Sequence, residues 1–507
     1  MASPTMLCVT LGLLVLVQSC FAQLEQMPRQ QFRPERQREM RSQQNECQLE
    51  RITAQEPSRR FESEAGFTEI FNENDEQFRC AGVAVLRHTI QQRGLLLPSY
   101  SNTPKLVYVE QGRGFHGAAF PGCPETFQSS RSQAAGEQHR GFSRDEHQKV
   151  RQIREGDVVA LPAGVADWFY NEGNTPLVLV QFLDTGNAAN QLDQDFRKFF
   201  LAGNPQREFQ SQRGQFEREG GRSLRRQTPG GPQQTYRNVF SGFDEQFLAE
   251  AFNIDTQLAS RLRNEDDRRG IIVRAEHELR FVGPQFSREE SEALEREESE
   301  RERGSRGGRF MNGFEETFCS ARLRHNMNDP SGADLFNPRA GRLKTVNSFD
   351  LPILRFLQFS AKKVFLYRYN TEFFGFLTCN QNAMMTPNWN KNAHSICYVT
   401  RGSGRVQIVS DNGQTVFDQE VRQGQVFTVP QNFAVVKRAG DEGFEYFSFK
   451  TNDHAEINQL AGRVSVFRAI PEEVLSNAFQ ISREEARRLK FNREEVTLFS
   501  PSQFGRV

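Results

Sequence analysis

The chain repeats itself, and that limits its fold more than any other feature. Residues 106–120 ("LVYVEQGRGFHGAAF") and 154–184 ("REGDVVALPAGVADWFYNEGNTPLVLVQFLD") reappear as residues 396–410 ("ICYVTRGSGRVQIVS") and 422–450 ("RQGQVFTVPQNFAVVKRAGDEGFEYFSFK"). Tyr108 and Val109 match Tyr398 and Val399, Gly112 and Gly114 match Gly402 and Gly404, and Gly156 and Pro162 match Gly424 and Pro430. Each copy alternates apolar and polar positions, is rich in Val, Phe and Tyr, and breaks at Gly, Pro and Asn, which is the pattern of short antiparallel strands. A strand-turn-strand unit met twice predicts two closed or double-sheet β domains. With 507 residues, each half is long enough for a core of its own.

A helical pattern follows each strand region. Residues 243–262 parallel 470–489, matching Ala251 with Ala478, Phe252 with Phe479, Ile254 with Ile481 and Leu262 with Leu489. Asp244, Glu245, Glu472 and Glu473 stand where a helix start favours negative charge. Phe247, Leu248 and Ala251 form an apolar stripe, read here as an interface between copies of the chain.

The first 22 residues carry no charge, contain the apolar run 11–17, and end in small residues, so a signal peptide cleaved between Ala22 and Gln23 is expected. No later stretch reaches about 18 consecutive apolar residues, so no membrane span is expected. Six cysteines remain, none in CxxC spacing, which disfavours zinc ribbons and thioredoxin-type chemistry. Residues 205–236 and 286–312 are too polar to bury a core and read as disordered insertions. The Arg-Gly run near 304–309 could suggest nucleic acid, but neighbouring Glu residues neutralise it, and no nucleic-acid partner is expected.

Net charge is zero, with 64 basic and 64 acidic residues; a cut after Asn312 leaves 40 and 44 before it and 24 and 20 after it. Arg supplies 54 of the 64 basic residues, beside 43 Gln and 29 Asn, so about a quarter of the chain carries side-chain nitrogen. Solubility alone does not require that bias.

The G-x5-P element with its trailing Asn171 resembles the second cupin motif, and "NGFEETFCSARL" (312–323) with "PGCPETF" (121–127) resembles the legumin-type 11S seed storage globulins, from about Cys47 to Phe499. The resemblance implies two tandem cupin jelly-roll barrels, at about 47–270 and 325–495, each followed by a small helical extension. It implies cleavage between Asn312 and Gly313 by an asparaginyl endopeptidase, giving an acidic chain (23–312) and a basic chain (313–507). It further implies disulfides Cys47–Cys80 and Cys123–Cys319, trimers that pair into hexamers, and deposition in seed protein-storage vacuoles. A bare Asn-Gly suggests a hairpin turn, but the polar run before Asn312 offers no first strand, and exposed backbone suits a protease.

Metal-binding cupins place His-x-His, then Glu, then a further His around one ion. In the first domain that spacing falls on Ser99, Ser101, Lys105 and Asp167; in the second, on Asn388, Asn390, His394 and Val435. Neither set holds a divalent ion, so no metal, cofactor or enzymatic activity is expected, and His394 reads as a satisfied barrel histidine. The alternative function is a metal-free barrel that binds a small ligand such as a sugar or lipid. Residues 364–381, rich in Phe and carrying Cys379, depart from the family pattern, as an insertion packed on the barrel or as retained intron sequence; a Cys379–Cys397 bridge is possible in the first case.

Overall fold

The computed structural model describes residues 47, 49–125, 127–128, 146–205, 237–264, 266–277, 279, 319, 321–368 and 382–500. The signal segment, the Asn312-Gly313 bond, residues 206–236 of the first polar insertion, all of 286–312 and residues 369–381 lie outside the described residues.

The first jelly roll faces two antiparallel sheets. One runs Arg59–Ser63, Gly66–Ile70, Val83–Ile90, Leu177–Asp184, Lys105–Gln111, Asp157–Leu161 and Arg324–Asn326. The other runs Lys198–Phe200, Gly94–Ser101, Ala166–Tyr170, Arg113–Ala119 and Val150–Arg154, with Ile272–Arg274 also paired to Gly94–Ser101. The second barrel is one ten-stranded sheet wrapped by two long strands, Ser395–Val409 and Ala434–Lys450. Its bend falls at Gly402, with φ +70°, where a Cβ would lie 2.2 Å from the Gly443 carbonyl oxygen. The matching Gly112, φ +88°, splits the first barrel's counterpart into two strands. Only glycine meets both demands without strain.

The barrels pack against each other through residues at matched ladder positions. Tyr108 stacks on Phe447 with ring centroids 4.5 Å apart, and Phe182 on Phe449 at 5.6 Å. Arg87 and Lys363 occupy the same ladder position, each two strands from its barrel's repeated tyrosine. Lys363 Nζ donates to Tyr108 Oη (3.0 Å) and to Thr400 Oγ1, while Tyr398 Oη donates to Glu110 Oε2 (2.8 Å), which also accepts from Arg87 Nε (3.1 Å). Burial first, and Glu110 second, push both phenols well above their ordinary pKa, so both stay protonated.

The segment ahead of each barrel crosses to the other one. His325 pairs with Val158 in the first barrel, and Gln55 bridges the equivalent Val426 in the second. Arg324 Nη1 lies 2.8 Å from the fully buried Asp157 carboxylate, and Leu49 and Ile52 join the second barrel's core. Cys47 is bonded to Cys80, and Cys123 to Cys319. The strand Ser360–Leu366 is paired on both sides, to Gly341–Val346 and Ala434–Lys450. Val364, Phe365 and Leu366 are therefore barrel ladder, not the start of an insertion.

The helical extensions are Glu245–Phe252 with Thr256–Arg263, and Glu472–Phe479 with Arg483–Phe491. Asp244 and Asp255 cap the first pair, and Ser482 with Glu485 forms a capping box in the second. Each pair buries one leucine and one alanine at matched positions, Leu248 and Ala259, then Leu475 and Ala486. Phe247 and Val474, and Phe252 and Phe479, remain exposed at matched places, and Leu489 is exposed where its counterpart Leu262 is half-buried.

Candidate functional site: the two barrel interiors

Inward-facing side chains of the first barrel come from both sheets. Asp167 sits opposite Ser99, and Lys198 opposite Ser101, so alternation turns all four toward the lumen. Three of the four metal-type positions therefore meet on one sheet, and Lys105 reaches them from the other. Its ammonium hydrogen-bonds the Asp167 carboxylate, with both side chains almost wholly buried. A cation thus stands where a metal ligand would be, and it consumes the one carboxylate. This donor set does not fit a divalent ion.

Three further groups share this lumen and carried no sequence motif. Lys198 Nζ lies 3.3 Å from Gln181 Oε1, and burial first, then Lys105, push its amine down to about 7. His88 Nδ1 is 2.8 Å from Thr68 Oγ1. His116 packs tilted against Phe169, ring centroids 4.7 Å apart, with neither ring nitrogen hydrogen-bonded. Burial lowers both imidazoles well below their usual range, so both are neutral. Strand phase alone marks them: His88, Lys105 and Gln181 fall on the inward alternation of their strands.

In the second barrel Asn388 lies opposite Val435, and Asn390 Oδ1 accepts from Lys450 Nζ at 2.5 Å. His394 does not join them. The strand Met384–Asn390 ends four residues before it, and His394 instead lies beside the Cys47–Cys80 sulfurs, half-buried, its Nδ1 accepting from the Gln431 N–H at 3.3 Å. Spacing counted along the chain missed that exit from the barrel. Those sulfurs are bonded to each other, so they supply no thiolates to a metal. Cys397 is free and buried inside the second barrel.

Two tandem jelly rolls whose ligand positions hold amines, amides and hydroxyls define a double cupin of the storage type, not a metalloenzyme. The Cupin family model matches residues 52–207 and 325–487. The chain belongs to the 11S globulins, the legumin-type seed storage proteins, and is not an enzyme. It is 51% identical to 11S globulin seed storage protein 1 of Carya illinoinensis over 98% of this chain and 97% of that one. The crystal structure of the coconut allergen cocosin superposes with a TM-score of 0.72 at 46% identity, covering 90% of this chain and 100% of that one. Procruciferin, an 11S globulin from Brassica napus, gives 0.74 at 43% identity, covering 90% and 99%.

Proposed function

We propose that this chain is a nitrogen reservoir of the seed, entering the secretory pathway by cleavage between Ala22 and Gln23 and accumulating in protein-storage vacuoles. An asparaginyl endopeptidase cuts between Asn312 and Gly313, and the Cys123–Cys319 bridge then joins the acidic and basic chains. Trimers of the precursor pair into hexamers once the cut is made.

The observation that carries this reading is the strand exchange. Residues 324–326, downstream of the cut, form part of the first barrel's sheet, and Leu49 and Ile52, upstream of it, belong to the second barrel's core. A chain laced in this way survives cleavage as one particle, which is what a processed store requires. The Arg, Gln and Asn enrichment supports the cargo. The protein is expected to accumulate through seed maturation and vanish at germination, followed by immunoblotting; constant, scarce levels would sink the reservoir reading. An Asn312→Gln precursor should stop at the trimer in analytical ultracentrifugation.

A further inference from the structure

The second barrel gathers amines that form no ion pair with an acid among the described residues, although Asp334 supplies some counter-charge to Lys362. Lys362, Ser448 and Cys397 stand opposite one another on three neighbouring strands, and Ser360, Lys450 and Ser395 form the next rung. Directly opposed residues share a face, as do residues two apart, so all six point inward. Phe447 and Phe449, in the opposite phase, pack on the first barrel instead. Lys437 reaches the same group from farther along the bent strand, its Nζ 3.6 Å from Cys397 Sγ. The Ser395 and Ser448 hydroxyls are 2.5 Å apart, each 3.7 Å from that sulfur.

The first barrel is an internal control. There Lys105 is matched by Asp167, whereas the position equivalent to Asp167 in the second barrel is Val435. Among the described residues no carboxylate forms an ion pair with Lys362, Lys437 or Lys450. Lys437 has a thiol as its hydrogen-bond partner, a poor acceptor for an ammonium, and lies 4.5 Å from the centroid of the Tyr446 ring, while Lys450 has only the neutral Asn390 amide oxygen. The rungs also differ in kind: Ser448 and Cys397 stand where the first barrel has Gln181 and Val107, and Lys362 and Lys450 stand where it has Leu86 and Leu183. Buried cations are paired in folded proteins, because an isolated one loses its hydration with nothing in return. Lys362 is half-buried, whereas Lys437 and Lys450 are buried.

We propose that the second barrel binds a small phosphate-type oxyanion between Lys362, Lys437 and Lys450, with Ser395 and Ser448 donating hydroxyl hydrogen bonds. Three ammonium groups and two hydroxyls complement a tetrahedral, multiply charged oxyanion and do not suit a neutral sugar or a lipid tail. Inorganic phosphate and the phosphate group of a small ester share this chemistry. Such a site would let a nitrogen store carry phosphate as well, so it goes beyond the reservoir reading and does not depend on it.

The test is calorimetric titration of the assembled, phosphate-free protein with inorganic phosphate and, separately, with glycerol phosphate. One saturable site per chain is expected for at least one of them. Affinity should fall about tenfold or more in Lys450→Met, and further in Lys437→Met/Lys450→Met. The exposed Lys391→Met should bind as wild type does. Replacing buried, unmatched charges with an apolar side chain favours folding, and native mobility on gel filtration checks that the variants assemble. Absence of saturable binding to either anion overturns the proposal, as does binding that persists unchanged in the double variant. Saturation by the ester alone or by phosphate alone identifies the source.

Discussion

Asp167 and Lys105 depend on each other inside the first barrel, and removing one exposes the cost. Asp167→Asn leaves a buried ammonium without its counter-charge and should destabilise the fold by about 3–5 kcal/mol, read by guanidinium denaturation. Lys105→Met with Asp167→Leu should recover most of that loss. Lys198 gives a pH signature. Its folded pKa of about 7 lies below the ordinary 10.5, so between those values the unfolded chain binds a proton that the folded chain does not. Stability therefore rises as pH goes from about 7 to about 10 and is lost as pH falls back, and Lys198→Met should flatten that slope in thermal melts. Ser99, Ser101, Lys105 and Asp167 could be placed from cupin spacing because Lys105 is the first residue of the next strand, whereas His394 falls one residue short of the strand Ser395–Val409. His88, His116 and Lys198 belong to no motif, and only a known strand phase brings them into the lumen.

Among elements, the strand Arg324–Asn326 and the segment around Gln55 hold the two barrels together without any covalent link. After cleavage, reducing the disulfides in native buffer should leave acidic and basic chains co-eluting on gel filtration. Arg324→Ala removes the guanidinium from buried Asp157, although Asn326 Nδ2 and the Arg154 N–H still donate to that carboxylate. It should lower the denaturation midpoint and make separation of the reduced chains detectable. The repeated strands were readable from alternation and from Gly112, Gly402, Gly156 and Gly424. The exchange was not, because three residues after a long polar run carry no periodicity. The phase of Ser360–Leu366 was likewise hidden, since Val364, Phe365 and Leu366 read equally well as the start of an apolar insertion and as the end of a buried strand.

At the scale of the whole molecule, the matched exposed residues of the helical extensions are the surface expected to meet another copy. Phe247→Asp with Val474→Asp should shift the assembled protein toward single chains in sedimentation velocity while leaving the barrel melting temperature nearly unchanged. The helix pairs were legible from the repeat because Ala251, Phe252, Ile254 and Leu262 recur as Ala478, Phe479, Ile481 and Leu489, and because Phe247, Leu248 and Ala251 keep helical spacing; of that stripe Leu248 is buried within the chain and only its neighbours are left to meet a partner. What their outer faces touch depends on a second chain, which one sequence does not describe. The crossing strands also set an order of events during synthesis. As the chain leaves the ribosome, the first barrel has an open edge at Asp157–Leu161 until residue 326 has followed, more than 160 residues later. Unpaired strand edges invite aggregation, so the acidic half made alone should be recovered as insoluble material, and a protease acting on the nascent chain would ruin the product. Under the proposed processing, a cut between Asn312 and Gly313 would have to wait until both halves have folded, so the topology itself would require a delay between synthesis and cleavage.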